Sequence, residues 1–276
     1  MLDKESITNT TPISVIIPCF NSSSTIETCI NSILNQTLLP SEILLIDDCS
    51  SDKGLTKKCI QALQIKYKNQ VDIKTFFSSS NKGPGSSRNL GWKNANNPYI
   101  AFLDSDDVWE LNKIMCQWNY LKNHPEVNII GSNIKEEQLC NEASNNNFKK
   151  LTSKDLLIKN PFCNSSVIIK KSTPYRFEEG SYFSEDFMLW AKIICDKNLK
   201  AYYLPFKFSS EILNFNRTNN LSSNYFKMFI GELKVLRYIS KKDFNKIVYY
   251  FSACFSFLKL LRRVFNKQMY FFKNYK

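Results

Sequence analysis

Apolar positions in the first half of the chain follow two alternating rhythms. Ile13-Ser-Val-Ile-Ile17 is a short β-branched run closed by Pro18, the pattern of a strand. Ser24-Thr-Ile-Glu27 then has the spacing of a capping box, and Ile26, Cys29, Ile30, Ile33 and Leu34 recur as one helical face. Glu42-Ile-Leu-Leu-Ile-Asp47 is apolar without alternation, as in a strand covered on both faces; a helix is predicted over Leu55–Tyr67 and a strand over Val71–Phe77. After Gly83-Pro-Gly85 the pattern predicts a short helix to Ala95, a strand over Tyr99–Leu103 and a helix over Trp109–Lys122. Buried strands alternating with helices predict an α/β fold on a parallel sheet.

Beyond Ile130 the rhythm changes. An Asn-rich stretch, Asn141–Asn147, suggests a surface loop, and a strand follows at Ser166–Lys170. Ser184 stands as the cap of a helix carrying Phe187, Leu189, Trp190, Ile193 and Ile194 to about Lys197, followed by a short strand over Leu199–Leu204. From Ser222 onward the pattern is mostly helical, and no repeat of solenoid period is present.

Composition narrows the chemistry. His124 is the chain's one histidine, which excludes multi-His metal sites and leaves carboxylate oxygens as the ligands on offer. The nine cysteines are odd in number and contain no C-x-x-C pair, which reads as reduced thiols in the cytosol. Met1–Thr11 is polar and acidic rather than basic then apolar, so no export signal is expected. The net charge of +12 is uneven: residues 221–276 hold 12 Lys and Arg against 2 Asp and Glu, and 15 of the chain's 38 aromatics. Residues 1–220 are close to neutral.

In open α/β sheets, ligands bind beyond the carboxyl ends of the strands. Two acidic clusters fall there: Asp47-Asp48 after the second strand, and Asp104, Asp106 and Asp107 after Tyr99–Leu103. Either alone also suits a turn, since Asp bonds its own backbone. Two at one sheet edge favour a site, and hard oxygen ligands suit Mg²⁺ or Mn²⁺ shared with the phosphates of a nucleotide diphosphate. The spacing around Gly83 and Gly85 fails the dinucleotide fingerprint because Arg88 occupies the third glycine position, and no P-loop string occurs.

Five strings carry a family resemblance: Ser14-Val-Ile-Ile-Pro-Cys-Phe-Asn21, Leu45-Ile-Asp-Asp-Cys-Ser-Ser-Asp52, Asn81-Lys-Gly-Pro-Gly-Ser-Ser-Arg-Asn-Leu-Gly91, Phe102-Leu-Asp-Ser-Asp-Asp107 and Ser184-Glu-Asp-Phe-Met-Leu-Trp190. In order and spacing they resemble family 2 glycosyltransferases of the GT-A fold, over roughly residues 13–222. The resemblance implies a Rossmann-like, mostly parallel sheet flanked by helices, with a helical C-terminal extension here. It divides the chain into a catalytic unit over 1–220, comprising a nucleotide-sugar half (13–130) and an acceptor half (131–220), and a basic aromatic tail over 221–276. Pro18, Phe20, Asn21 and Asp48 would line the base and ribose pocket, and Arg88 would lie near the donor. Asp104 and Asp106 match an Asp-x-Asp motif, with Asp106 holding a divalent cation and Asp104 contacting ribose or the metal. Asp186, next to Glu185, matches the general base; by themselves the two acids also suit the first turn of a helix. Arg217 would steady the diphosphate, although a solvated loop arginine is the alternative.

The implied activity is inverting transfer of a sugar, from UDP-glucose, UDP-galactose or a UDP-N-acetylhexosamine, to a lipid-linked saccharide such as a lipid-diphosphate or lipooligosaccharide acceptor of bacterial surface polysaccharide synthesis. Mn²⁺ or Mg²⁺ is the expected cofactor. The alternatives are a degenerate binding module recruited to membranes and a sugar nucleotidyltransferase, which should carry a Gly-rich loop that residues 13–24 lack. The apolar run Ile247–Leu261 is too short to span a bilayer and is broken by Lys259. Its aromatic and basic mixture suits an anionic membrane surface, with packing onto the catalytic unit as the alternative, and no nucleic-acid partner is expected. The implied location is cytoplasmic, peripheral on the inner face of the bacterial cytoplasmic membrane. A tail of this kind is expected to be dispensable for soluble activity.

Overall fold

The computed structural model describes residues 10–133, 148–212 and 224–274. Its first part runs β1 (Thr10–Cys19), α1 (Ile26–Leu34), β2 (Leu39–Asp47), α2 (Leu55–Tyr67), β3 (Asp72–Phe77), α3 (Pro84–Asn94), β4 (Tyr99–Phe102), β5 (Asp107–Trp109) and α4 (Lys113–Asn123). Then follow β6 (Ile129–Gly131), β7 (Lys149–Lys150), α5 (Ser153–Leu156), a 3-10 turn at Asn164–Ser166, β8 (Ile168–Lys170), α6 (Glu185–Ile194), β9 (Ala201–Tyr203), β10 (Ser209–Glu211), α7 (Tyr225–Asp243) and α8 (Lys246–Asn274).

Eight strands form one sheet in the order β3-β2-β1-β4-β8-β6-β9-β7. The pairs β1–β2, β2–β3, β1–β4 and β6–β9 are parallel, while β8 runs antiparallel to both β4 and β6, and β7 antiparallel to β9. Successive strands β1, β2 and β3 build outward in one direction, and β4 returns to the other side of β1. That reversal opens a crevice at the carboxyl ends of β1 and β4, the place where doubly wound sheets take ligands.

The unbroken apolar runs are explained by two covered faces. Ile13, Val15 and Ile17 of β1 pack with Ile26 and Ile30 of α1, Ile60 of α2 and Ile114 of α4. The opposite face, with Ile16, Leu44 and Phe102, packs on Trp92 of α3, Trp190 of α6, and Val235 and Ile239 of α7. Ser14 lies within this apolar strand because its hydroxyl donates to buried Glu42 (2.6 Å), whose other oxygen meets Lys74 (2.5 Å).

Several local expectations are corrected. The capping box at Ser24 does not form: Thr25 occupies the cap but its hydroxyl donates back to the Ser22 carbonyl (3.3 Å) rather than capping the helix, and Glu27 pairs instead with Lys66 of α2 (2.6 Å). The helix expected from Trp109 begins at Lys113, because Asp107–Trp109 is drawn into an antiparallel pair with Ser209–Glu211. Ser184 precedes α6 but does not cap it; its φ is 58°, and its hydroxyl turns to the carbonyl of Met228 (3.4 Å). Cys116 is disulfide-bonded, against the expectation of thiols reduced throughout, while Cys19, Cys29, Cys49, Cys59, Cys163, Cys195 and Cys254 are free. The stretch Asn141–Asn147 lies outside the described residues.

A boundary at 220/221 does not separate the packing. α7 buries Val235, Leu236 and Ile239 in the second core, and its Gly231 lies so close to Phe183 and Ser184 that an added Cβ would fall 2.7 Å from the Phe183 carbonyl. α8 lies on α7 and adds little to either core. Among the described residues no helix is long and apolar enough to cross a membrane.

Candidate active site

A cavity of about 570 Å³ opens at the carboxyl ends of β1 and β4, and Pro18, Phe20, Asp48, Arg88, Asp104, Asp106, Glu185 and Asp186 all line it. Residues 168 positions apart in the chain, Pro18 and Asp186, therefore meet at one place. Asn21 is not among the lining residues; with φ at 51° it accepts from the Ser51 amide (2.9 Å) and gives its own amide to Ser50 (2.9 Å), clamping the loop after β2. Arg217 lies outside the described residues.

The two acidic clusters are used differently. Asp48 is buried, and its carboxylate accepts the backbone amides of Lys82 (3.0 Å) and Gly83 (2.7 Å). It thereby holds the loop that starts α3. Gly83 needs its missing side chain twice over: φ is 86°, and a Cβ would sit 2.7 Å from the Tyr182 ring. Asp47 accepts from Ser50 (2.5 Å).

In the second cluster Asp104 meets the Nη2 of Arg88 at 2.6 Å and Nδ2 of Asn164 at 3.2 Å. The other terminal nitrogen of Arg88 meets Glu185 at 3.1 Å. Arg88 is almost fully buried beneath the cavity, stacked 5.3 Å from the Phe177 ring, and its charge is shared between two carboxylates. Glu185, expected with Asp186 among the catalytic residues, is itself buried and engaged in that ion pair. Ser165 ties the loop together: its hydroxyl donates to Asp107 and accepts from the Asp104 amide (3.1 Å). Burial together with the charges of Asp104 and Asp106 pushes the Asp107 carboxyl up to about 8. Such crowding is the mark of a cluster short of positive charge.

Asp186 stands in the first turn of α6 and lines the same cavity. Its Oδ1 accepts the Phe187 amide (2.6 Å) and its Oδ2 accepts Nδ2 of Asn160 (3.1 Å). Burial first, then the charge of Glu185, pushes its carboxyl up to about 7, with Phe187, Arg88 and Asn160 pulling the other way. A carboxyl poised there can take a proton from a hydroxyl near neutral pH.

Asn160, Asn164 and Ser165 escaped the sequence reading, because no local pattern marks a residue whose role is to face an acid from a distant loop. Asn160-Pro161 was a visible turn signal but said nothing of its target.

The Asp104–Asp107 loop and the raised carboxyl of Asp186 line one cavity at the β1–β4 switch point of the sheet. The sequence model described as Glycosyl transferase family 2 matches residues 14–179, and the chain belongs to that family. The E. coli protein WfgD, named as a UDP-Glc:alpha-D-GlcNAc-diphosphoundecaprenol beta-1,3-glucosyltransferase, is 30% identical over 241 residues, 86% of this chain and 90% of that one. The fold is shared with S. aureus TarS, solved with UDP-GlcNAc, at a TM-score of 0.64 and 21% identity, covering 87% of this chain and 70% of that one. It is shared also with the Pyrobaculum calidifontis mannosyltransferase PcManGT, solved with GDP-Man and Mn²⁺, at a TM-score of 0.64 and 14% identity, covering 88% and 69%.

Proposed function

We propose that the protein is an inverting glycosyltransferase that moves a hexose from a UDP-sugar, with UDP-glucose the first candidate, to a lipid-diphosphate-linked saccharide at the inner face of a bacterial membrane. The carrying observation is that Asp104, Asp106 and Asp186 line one cavity at the β1–β4 switch point. The name of the E. coli relative supports the donor and the lipid-linked acceptor.

In this reading Asp186 removes the proton from the attacking acceptor hydroxyl. The new glycosidic bond forms on the sugar's anomeric carbon as the bond to the diphosphate breaks on the opposite face, inverting that carbon. Asn160 and the Phe187 amide fix which lone pair of Asp186 meets the hydroxyl. Arg88 keeps Asp104 in place, and Glu185 keeps Arg88 charged and oriented. Phe20, at the mouth of the cavity and partly exposed, offers its ring to the nucleobase.

The donor set fits a hard divalent cation. Among the described residues no group of three or more His, Cys, Asp or Glu side chains forms a cage. What is present is the crowded pair Asp104 and Asp106, the one-or-two-carboxylate arrangement that Mg²⁺ or Mn²⁺ completes with substrate phosphates. When bound there, the cation would neutralise charge growing on the departing diphosphate.

The test is transfer from UDP-glucose to a synthetic lipid-diphosphate-linked GlcNAc with Mn²⁺, followed by product anomer analysis. A β-linked product that requires Asp106 and Asp186 is expected. Full activity in both Asp106→Ala and Asp186→Asn would overturn the assignment. Uridylyl transfer to a sugar phosphate would point to the nucleotidyltransferase alternative.

A further inference from the structure

α8 leaves its most aromatic face uncovered. Ile247, Phe251, Phe255, Leu258, Leu261 and Phe265 recur every three or four residues and so share one face, yet each is between 47% and 74% exposed. The face turned toward the protein is mixed and carries smaller groups: Ser252 and Ser256 are buried, Val248, Ala253 and Leu260 are half-buried, and Lys259 reaches Glu232 of α7 (2.6 Å) and the Ile158 carbonyl (3.1 Å). Water is a poor partner for an aromatic surface of this extent. α7 shows the contrast, since its Val235, Leu236 and Ile239 point into the core.

We infer that the outward face of α8 is a docking surface for an anionic lipid bilayer, lying in the interface plane rather than crossing it. Charge identifies the occupant. α8 carries six Lys and Arg and no Asp or Glu in its 29 residues. Exposed Arg262 interrupts the apolar face and exposed Lys246 borders it, with exposed Arg263 next to Arg262 in the chain. A second copy of the same helix would bring like charges together, whereas acidic headgroups neutralise them while the acyl boundary takes the rings. The surface also adjoins the cavity. Lys259 holds the carbonyl of Ile158, two residues before Asn160, the partner of Asp186, and Met228 of α7 lines the cavity. A docked enzyme would therefore work beside the surface from which a lipid-linked substrate emerges. The binding claim itself does not depend on the reaction proposed above.

The experiment is flotation of the full chain with vesicles of phosphatidylcholine alone and of phosphatidylcholine mixed with phosphatidylglycerol. The expected result is binding at least about tenfold tighter to the anionic vesicles and weakened by salt. Phe251→Glu/Phe255→Glu/Leu258→Glu should abolish it with an unchanged melting temperature, because those side chains contact little of the protein. Arg262→Glu/Arg263→Glu should weaken binding to anionic vesicles selectively. Absence of vesicle binding, retention of binding by the triple variant, or equal binding to both vesicle types would overturn the inference. Concentration-dependent dimers that the triple variant breaks, without vesicle binding, would assign the face to a second copy instead.

Discussion

The two acidic clusters at the carboxyl edge of the sheet look alike in sequence and do opposite work. Asp47 accepts Ser50, and Asp48, although it lines the cavity, accepts the amides that start α3. Asp104, Asp106 and Asp107 instead crowd against one another and raise Asp107, with Arg88 as a shared counter-charge. A carboxylate satisfied by backbone amides stabilises a loop. One crowded by like charge has its ionised form disfavoured, a cost that a bound cation would relieve.

The sharpest way to break this contrast is to compare Asp106→Ala with Asp48→Ala. Removing Asp106 should lower sugar transfer by about a thousandfold, on the scale of a lost electrostatic stabiliser, and leave thermal unfolding unchanged. Removing Asp48 should instead cost about 2 kcal/mol of stability, the worth of a charge-assisted bond to buried amides, seen as a melting point lower by about 4–8 °C. Loss of donor affinity at an unchanged melting point would instead give Asp48 the nucleotide contact that the family resemblance implies.

Asp186→Asn extends the comparison across the cavity. Transfer should fall by about a hundredfold or more. The wild-type rate should rise with pH through about 7 and then level, since the base must be ionised. Stability should run the other way. A carboxyl raised from its ordinary value to about 7 resists ionisation in the fold, so stability is lost as pH climbs from about 4 to 7. Asp186→Asn escapes that cost and should melt higher than wild type at pH 8, with the gap closing at pH 4.

Asn160→Ala is a milder version. It removes a bond that favours the charged form of Asp186, so the rate should drop about tenfold and the rising limb of the pH profile move to higher pH. A uniform drop with an unmoved limb would mean that Asn160 only supports the loop. Smallest is Ser165→Ala, which leaves the Asp104 amide and Asp107 without their shared hydroxyl. A loss of about 1 kcal/mol in stability and a few-fold in rate is expected, measured by denaturant unfolding beside steady-state kinetics.

Much of this was legible in the chain. The α2 helix was predicted with its observed ends, and the strand cores of β1, β2 and β4 were found because both their faces are buried and their apolar runs are unbroken. Failures occurred where a distant partner outbid a local signal: Glu27 left its capping box for Lys66, and Trp109 left its helix for β10. Within the site, residues with chemistry of their own, Asp104, Asp106 and Asp186, could be named, whereas Asn160 and Ser165 matter only through what they face.

The sequence alone determined the class of chemistry. Its histidine count, its two Asp clusters and its ordered motifs pointed to an oxygen-ligated site on an α/β sheet, since residue types and strand periodicity need no third dimension to read. Only the tertiary structure decided that Glu185 pairs with Arg88, that α7 belongs to the core, and that α8 turns its aromatic face outward. Those outcomes depend on which surfaces meet, and two neighbouring helices rich in aromatics and lysines carry no local mark of which one the core will take.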